Sequence, residues 1–313
     1  MNTTVKASSK LFVGLTNQNQ VRGMATLKDL KVRLGTVQTI SKLTKTLHMV
    51  ASSKLRSAEK KAEELGAFNV GPSKLLSEIK SNEALDQLEQ GTTFAEDRSN
   101  KQLVIAITTD TGMCGPVNHQ VVKACKALLS KDTEDKMIAS TTGLKGTAPL
   151  ATDYPKKLLF GGRDFGKQDY SFPETLLFLN EIIAKIPNFD NAVIVYNKFK
   201  NALSYSVDAL FIPGFNLMEQ HRDKFYTYQT TEDRAATMKD LSEFYLASAF
   251  WASLYQNRAS EMAGRMVSMD NASKNGESIS QGLSLQYNRA RQAMITSELI
   301  EITSGAAAIE DSN

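Results

Sequence analysis

The segment LKDLKVRLGTVQTISKLTKTLHMVASSKLRSAEKKAEEL, residues 27–65, predicts one long helix because its apolar side chains recur at helical spacing over an unusual length. Their mean spacing is close to the roughly 3.5 residues of a coiled-coil seam. No proline occurs between residue 25 and Pro72. The predicted helix is therefore about three times as long as an average globular helix of 11–12 residues. Its apolar stripe needs a second long helix beside it. The predicted seam residues are Leu27, Leu30, Leu34, Val37, Ile40, Leu43, Leu47, Val50, Leu55, Ala58, Ala62 and Leu65.

The last third of the chain supplies that second helix. Residues 231–309 contain no proline, and the segment opens with Thr231, Glu232 and Asp233, whose acids suit a first helical turn. Asn275-Gly276 is a turn signal, but packing in a coiled coil can override the cost of a glycine, about 1 kcal/mol. We expect a weak point there, and both a break and a continuous helix stay open. The predicted seam residues are Met238, Leu241, Phe244, Tyr245, Trp251, Leu254, Tyr255, Met262, Met266, Met269, Leu283, Leu285, Met294, Ile295, Leu299, Ile302 and Ile309.

The middle of the chain changes from helical period to short alternating elements. Residues 103–108, LVIAIT, form a continuous apolar run that is typical of a buried parallel strand. The pattern then predicts a loop at 110–116, helices at 117–129 and 174–186, and strands at 137–140, 192–196 and 202–212. Residues 70–100 and 141–171 predict loops or short helices. The fold class is therefore α/β: a long antiparallel coiled coil of N- and C-terminal helices with an inserted Rossmann-like α/β domain.

The N-terminus is basic and free of acids until Asp29, and it carries Lys6, Lys10 and Arg22 among serines and threonines. This composition is typical of an organelle transit peptide, and a disordered tail is the alternative. The predicted organisation is a mitochondrial transit peptide at 1–24, an N-terminal coiled-coil helix at 25–81, the α/β domain at 100–212 and a C-terminal coiled-coil helix at 231–313.

Composition excludes several classes of protein. The formal net charge of +3 is too small to indicate nucleic-acid binding. The sequence contains no run of about 18 apolar residues, so no transmembrane helix is predicted. Two cysteines, Cys114 and Cys125, are too few for a secreted disulfide scaffold.

The loop at 110–115 is the best place for an enzyme site, and it is a weak one. Its G-x-x-G spacing lacks both the G-x-G-x-x-G pattern and the lysine of a phosphate-binding loop. Cys114 and His119 could pair as nucleophile and base, but no acid or amide is placed to complete the constellation. The three histidines, His48, His119 and His221, show no metal-ligand spacing. We therefore predict no catalytic residue, cofactor or metal, and a static coiled-coil scaffold remains an alternative.

Four segments resemble the γ subunits of mitochondrial F-type ATP synthases. They are ATLKDLKVRL (25–34), ISKLTKTLHMVASSKLR (40–56), TTDTGMCG (108–115) and RARQAMITSELIEITSGAAA (289–308). The resemblance covers nearly the whole chain after Met24. It implies a rotating central-stalk subunit that couples proton-driven rotation of a membrane ring to ATP synthesis in a catalytic hexamer, with no catalytic site of its own.

The same resemblance implies partners and contact residues. The partners are the α and β subunits of the F1 hexamer, small central-stalk subunits of the δ/ε type, and the membrane c-ring through the α/β domain. The implied location is peripheral, on the matrix side of the mitochondrial inner membrane. The residues that match hexamer-contacting positions are Leu47, Arg265, Arg291, Gln292, Thr296 and Glu298. From the pattern alone, Leu47 is equally a seam residue, and the polar positions are equally a solvated helix face.

Overall fold

The computed structural model describes residues 26–77, 101–132, 135–166, 169–186, 189–220 and 233–310. The chain divides into two compact units, one formed by Met1–Lys45 with Asn271–Asn313 and the other by Thr46–Asp270. The predicted transit segment, the last four residues of the predicted N-terminal helix, and the predicted helix start at Thr231 and Glu232 lie outside the described residues.

Two long helices come from the two ends of the chain, as predicted. Helix α1 spans Leu27–Ser77 and helix α6 spans Arg234–Glu310. The start of α1 is capped reciprocally: the Thr26 N–H donates to the Asp29 carboxylate and the Asp29 N–H donates to the Thr26 hydroxyl, both at 3.3 Å. Helix α6 is continuous through Asn275-Gly276, so packing overrides the local turn signal.

In the larger unit the two helices run antiparallel. His48 Nδ1 lies 3.1 Å from the Met266 carbonyl oxygen, Gln256 donates to the Ala62 carbonyl at 3.5 Å, and Ser248 donates to Asn69 at 3.2 Å. Residue numbers therefore rise along α1 as they fall along α6. The seam between them is apolar and contains Leu55, Ala58, Ala259, Met262 and Ala263.

The phase of the seam differs from the prediction. Ser41 and Thr44 are buried in the smaller unit, whereas the predicted seam residues Ile40 and Leu43 are exposed. Ser41 and Ser273 exchange hydroxyl-to-carbonyl hydrogen bonds of 3.3 and 3.4 Å, which satisfies both buried hydroxyls. Val50 is likewise exposed beside the buried Ala51. The assignment of Ile40, Leu43 and Val50 was wrong because the small side chains of Ser41, Thr44 and Ala51 allow a closer approach of the two helices.

The middle of the chain forms one five-stranded sheet in the order β3-β2-β1-β4-β5. All neighbours are parallel except β4 and β5, which form an antiparallel hairpin. The strands are β1 Lys101–Ala106, β2 Met137–Thr141, β3 Leu158–Gly161, β4 Phe189–Asn201 and β5 Ser204–Pro213. The helices between them are α2 Val117–Lys131, α3 Leu144–Asp153 and α4 Phe172–Lys185, and α5 Phe215–Gln220 follows β5. The sequence missed β3, a half-buried strand of four residues.

Both faces of the sheet are covered. Alternate residues of β1 and β4, such as Val104 and Val193, pack against Cys125 and Leu129 of α2. The opposite face packs against α4 and also against α6, through Tyr245, Phe250 and Leu254. The C-terminal helix is therefore a layer of the α/β domain as well as a coiled-coil partner.

Candidate functional site

The loop after β1 has a fixed conformation. The Thr109 backbone N–H donates to Asn118 Oδ1 at 2.9 Å, and Asn118 Nδ2 donates to the Thr109 hydroxyl at 2.8 Å. The Thr109 hydroxyl also donates to the Thr111 carbonyl at 2.7 Å. Gly115 has a φ of 65°, in the left-handed region that favours glycine. This loop lies at the carboxyl edge of the sheet, where doubly wound folds bind their ligands.

Helix α6 lies directly on this loop. A Cβ atom at Gly264 would stand 2.5 Å from the carbonyl oxygen of Cys114, so only glycine fits at this crossing. Asn197 of β4 donates to Asn257 at 2.8 Å, and Ser260 donates to the Asn197 carbonyl at 3.1 Å. The edge that would hold a nucleotide in a Rossmann enzyme is thus packed against a helix of the same chain.

A buried carboxylate joins the loop to the helix. The Glu261 side chain is 2% exposed and lies 2.7 Å from Arg265 Nη2 and 3.5 Å from Arg258 Nη1. The Thr111 hydroxyl donates to Glu261 at 3.3 Å, and Arg265 donates to the Thr111 hydroxyl at 2.8 Å and to the Gly112 carbonyl at 3.2 Å. We call these five residues the Glu261 cluster. Its two arginines compensate a charge that would be costly to bury alone.

Burial disfavours a nucleophilic role for Cys114. Cys114 is 2% exposed, and burial, followed by the nearby Glu261 carboxylate, raises the pKa of its thiol. A thiol with a raised pKa is a weak nucleophile, because the thiolate is the reactive form. Asn118 Nδ2 lies 3.4 Å from the Cys114 sulfur, and His119 is exposed. Within the described ranges, no group of three His, Cys, Asp or Glu side chains could hold a metal ion.

A second polar junction involves both long helices. Asp169, just before α4, forms an ion pair with Lys61 of α1 and accepts a 2.5 Å hydrogen bond from the Tyr255 hydroxyl of α6. Trp251 Nε1 donates to the neighbouring Tyr170 carbonyl at 2.8 Å. Burial would raise the pKa of Asp169, but the hydrogen bonds from Lys61 and Tyr255 lower it below its ordinary value. Lys61 is thus tied to the α/β domain.

The predicted contact residues fall into two groups. Arg291, Gln292, Thr296 and Glu298 are all exposed on α6 in the smaller unit, and the Thr296 hydroxyl donates to the Gln292 carbonyl at 2.9 Å. Arg291 and Glu298 are seven residues apart, two helical turns, so they share a face. Leu47 and Arg265 belong to the larger unit: Leu47 is half-buried on α1, and Arg265 lies in the Glu261 cluster with its side chain 14% exposed.

The same C-terminal stretch exposes large apolar side chains, which sequence reasoning assigned to the coiled-coil seam. Met294, Ile295, Leu299, Ile302 and Ile309 are each about half or more exposed, and Ile300 joins them. That seam assignment was wrong, because spacing marks an apolar residue without showing what covers it. A run of exposed apolar side chains indicates a surface for another protein. One signal in the sequence could have indicated this surface. Apolar residues here occupy adjacent positions, such as Met294 and Ile295, which cannot both lie on the narrow stripe that faces one partner helix.

The described helices include none that is long and apolar enough to cross a membrane.

Comparison with known sequences identifies the family. A family model described as ATP synthase matches residues 26–309. The chain is 72% identical over 309 residues to the mitochondrial ATP synthase F(1) complex subunit gamma of Dictyostelium discoideum, covering 99% of this chain and 100% of the relative. It is 33% identical over 292 residues to the mitochondrial ATP synthase subunit gamma of Drosophila melanogaster, covering 93% of each chain.

Solved structures agree with this relation. A chain in the cryo-EM structure of the central stalk and c-ring of Tetrahymena thermophila mitochondrial ATP synthase matches with a TM-score of 0.60 and 27% identity, over 74% of this chain and 99% of that one. A chain from the Euglena gracilis mitochondrial ATP synthase shares the fold, with a TM-score of 0.68 at 21% identity over 91% and 94% of the two chains. The chain therefore belongs to the family of mitochondrial ATP synthase γ subunits.

Proposed function

We propose that this chain is the rotating central stalk that couples proton-driven rotation of a membrane c-ring to ATP synthesis in the F1 hexamer. The chain is non-catalytic, because a γ subunit is a rotor component and the catalytic sites lie in the β subunits. The observation that carries the proposal is the C-terminal stretch of α6, residues 291–307, which is helical and exposed at every position. A helix that exposes large apolar and charged side chains together needs a surrounding partner.

The chemistry of this stretch suits a surface that moves against its partner. Exposed ion pairs and hydrogen bonds of Arg291, Gln292, Thr296 and Glu298 are each worth about 0–1 kcal/mol, so they exchange readily. Residues 302–309 carry no charge and are mostly small, which suits a tip held in a narrow apolar collar. We assign Leu47 to the same hexamer contact. Arg265 joins this contact through the 14% of its side chain that remains exposed.

The remaining partners follow from the family. The α and β subunits surround α6, small central-stalk subunits of the δ/ε type bind beside the α/β domain, and that domain rests on the c-ring. The match to a chain in a central-stalk and c-ring structure supports this arrangement. The chain is mitochondrial, and we place it on the matrix side of the inner membrane, with residues 1–24 as its transit peptide.

Native gel electrophoresis of mitochondria that carry a tagged copy tests the assembly. The tagged chain should migrate in a large band that stains for ATP hydrolysis. A tagged chain that migrates as a monomer or dimer, away from every ATPase band, would contradict the proposal.

A truncation separates a rotating shaft from a static scaffold. Removal of the last ten residues, 304–313, should leave the complex assembled while proton-driven ATP synthesis falls, because only the tip is lost. The matched control is the full-length tagged chain. A loss of assembly as large as the loss of activity would favour the scaffold.

A further inference from the structure

We propose that Glu261 is a positioning residue for energy coupling: it fastens the loop after β1 to helix α6, so that torque applied to the α/β domain reaches the shaft. This role of Glu261 rests on the proposed rotary function. It adds a mechanical element inside the γ subunit, distinct from the surfaces that contact the hexamer and the c-ring.

Burial makes this junction firm. Glu261 is 2% exposed, and its partners Arg265 and Arg258 are 14% and 22% exposed. Ion pairs on the surface contribute little, whereas removal of one partner from a buried pair leaves an uncompensated charge. Removal of Glu261 should therefore cost more than removal of one partner of an exposed pair such as Lys60–Glu64 on α1.

The hydrogen bonds of the cluster resist sliding of the loop along α6. Much of the contact between α6 and the sheet is apolar, and apolar contact has no preferred direction along the interface. Torque loads such an interface in shear. Charge-assisted hydrogen bonds have fixed geometry and resist sliding, and the Glu261 cluster supplies bonds that cross from α6 to Thr111 and to the Gly112 carbonyl.

Steric contact at Gly264 fixes the junction further. The loop carbonyl of Cys114 rests on the helix backbone at Gly264, where a Cβ would stand 2.5 Å away. Sliding of the loop along α6 would drive this carbonyl toward the side chain of the next residue. Close approach at Gly264 and the nearby hydrogen bonds of Glu261 and Arg265 therefore fix the same register.

These contacts also define what Arg265 does. Its Nη2 atom donates to Glu261, Thr111 and Gly112, three acceptors within the chain. Arg265 therefore fastens the loop to α6, in addition to the hexamer contact proposed for the exposed part of its side chain.

The test uses the complete ATP synthase assembled with Glu261→Gln in this chain. The variant leaves two arginines without their carboxylate, so amide hydrogen exchange at residues 111–113 should rise by at least about tenfold. Proton-driven ATP synthesis should fall relative to ATP hydrolysis, a ratio that a purely structural role would leave unchanged. The matched control is Glu243→Gln on the same helix, whose pair with Lys239 is exposed and 4.0 Å long, and it should behave as wild type.

A second pair of variants guards against failure of Glu261→Gln to assemble. Thr111 is exposed on the loop, so Thr111→Val should fold while losing the hydroxyl that contacts both Glu261 and Arg265. Thr111→Val should lower the ratio of synthesis to hydrolysis, and Thr111→Ser, which keeps the hydroxyl, should restore it.

Wild-type coupling in Thr111→Val, or faster exchange without loss of coupling in Glu261→Gln, would overturn the proposal and leave the rotary function standing. Failure of the wild-type chain to purify with an ATP-hydrolysing complex would instead remove the rotary function, and the coupling role of Glu261 with it.

Discussion

Two stretches of helix α6 have the same secondary structure and opposite environments. Residues 245–263 are nearly all buried, and they pack on the sheet, on α4 and on α1. Residues 291–307 are exposed at every position, although they include Met294, Ile295 and Leu299. Apolar spacing therefore specifies a helix but not its partner. The first stretch stabilises the chain, and we expect the second to stabilise an assembly.

The largest loss of stability should come from a substitution in the buried stretch of α6, residues 245–263. Phe250 is fully buried and stacks near Phe178, with ring centroids 5.7 Å apart. Phe250→Ala should lower the free energy of unfolding by about 3–5 kcal/mol, because it leaves a cavity. Urea unfolding followed by the fluorescence of Trp251, the single tryptophan, measures it. The control is Phe244→Ala, six residues earlier and 43% exposed; equal losses in both variants would contradict the comparison.

The same contrast should hold for charges. The Lys157–Asp132 pair is 2.9 Å long with side chains 13% and 6% exposed, whereas Lys60–Glu64 is 3.8 Å long and exposed. Asp132→Asn should lower the free energy of unfolding by about 1.5–3 kcal/mol, as expected for a hydrogen bond between charged groups. Glu64→Gln should cost less than about 1 kcal/mol. Urea titrations of both variants at neutral pH give the two values, and a larger loss in Glu64→Gln would break the contrast.

The Asp132 pair also makes a pH prediction. Burial would raise the pKa of Asp132, but hydrogen bonds from Lys157 and from the Met137 and Lys136 backbone lower it. A lowered folded-state pKa stabilises the chain above the unfolded value, about 3.9, and the contribution is lost as pH falls through the folded value. The difference in unfolding free energy between wild type and Asp132→Asn should therefore shrink below about pH 4. A difference that stayed constant down to low pH would show that the carboxylate charge contributes nothing.

Replacement of two glycines of α6 by alanine should change the free energy of unfolding by a smaller amount. A Cβ added at Gly282 would meet no atom within 4 Å, whereas a Cβ at Gly276 would lie 3.1 Å from Ser41 Cβ. Gly282→Ala should raise the free energy of unfolding by about 0.5–1 kcal/mol through helix propensity. Gly276→Ala should gain less, because Ser41 must shift. Thermal unfolding followed by circular dichroism compares them, and a larger gain at Gly276 would contradict the close approach.

The smallest effect on stability should come from the exposed stretch. Leu299→Ser should change the free energy of unfolding by no more than about 0.5 kcal/mol, yet weaken binding to the hexamer. The same substitution in the buried stretch, Leu254→Ser, should cost at least about 3 kcal/mol. Urea unfolding measures stability, and ATP hydrolysis by the assembled complex measures function. A destabilising Leu299→Ser would show that the chain itself covers this surface.

The sequence predicted the long helices and the β1 strand because their signals are local. Residues 103–108 form an unbroken apolar run, and proline-free apolar periodicity marks both ends of the chain. The sequence did not predict that Ser41 is buried, because its hydroxyl needs a hydrogen-bond partner inside the protein and that partner, Ser273, is 232 residues away. The site was harder still: the resemblance implied a contact role for Arg265, but its partner Thr111 is 154 residues distant and leaves no local pattern. Packing of α6 on the sheet likewise depends on tertiary contacts.

Direct observation of rotation tests whether this chain is a rotor. Leu203, at the tip of the β4–β5 hairpin, is 81% exposed, whereas Cys114 and Cys125 are both buried. A fluorescent label should therefore react with Leu203→Cys in preference to the other cysteines of this chain. The labelled chain can then be followed in single complexes whose hexamer is fixed to a surface. We expect the label to turn in one direction when ATP is added and to stop when ATP is removed. A label that stays still while the same complexes hydrolyse ATP would contradict it.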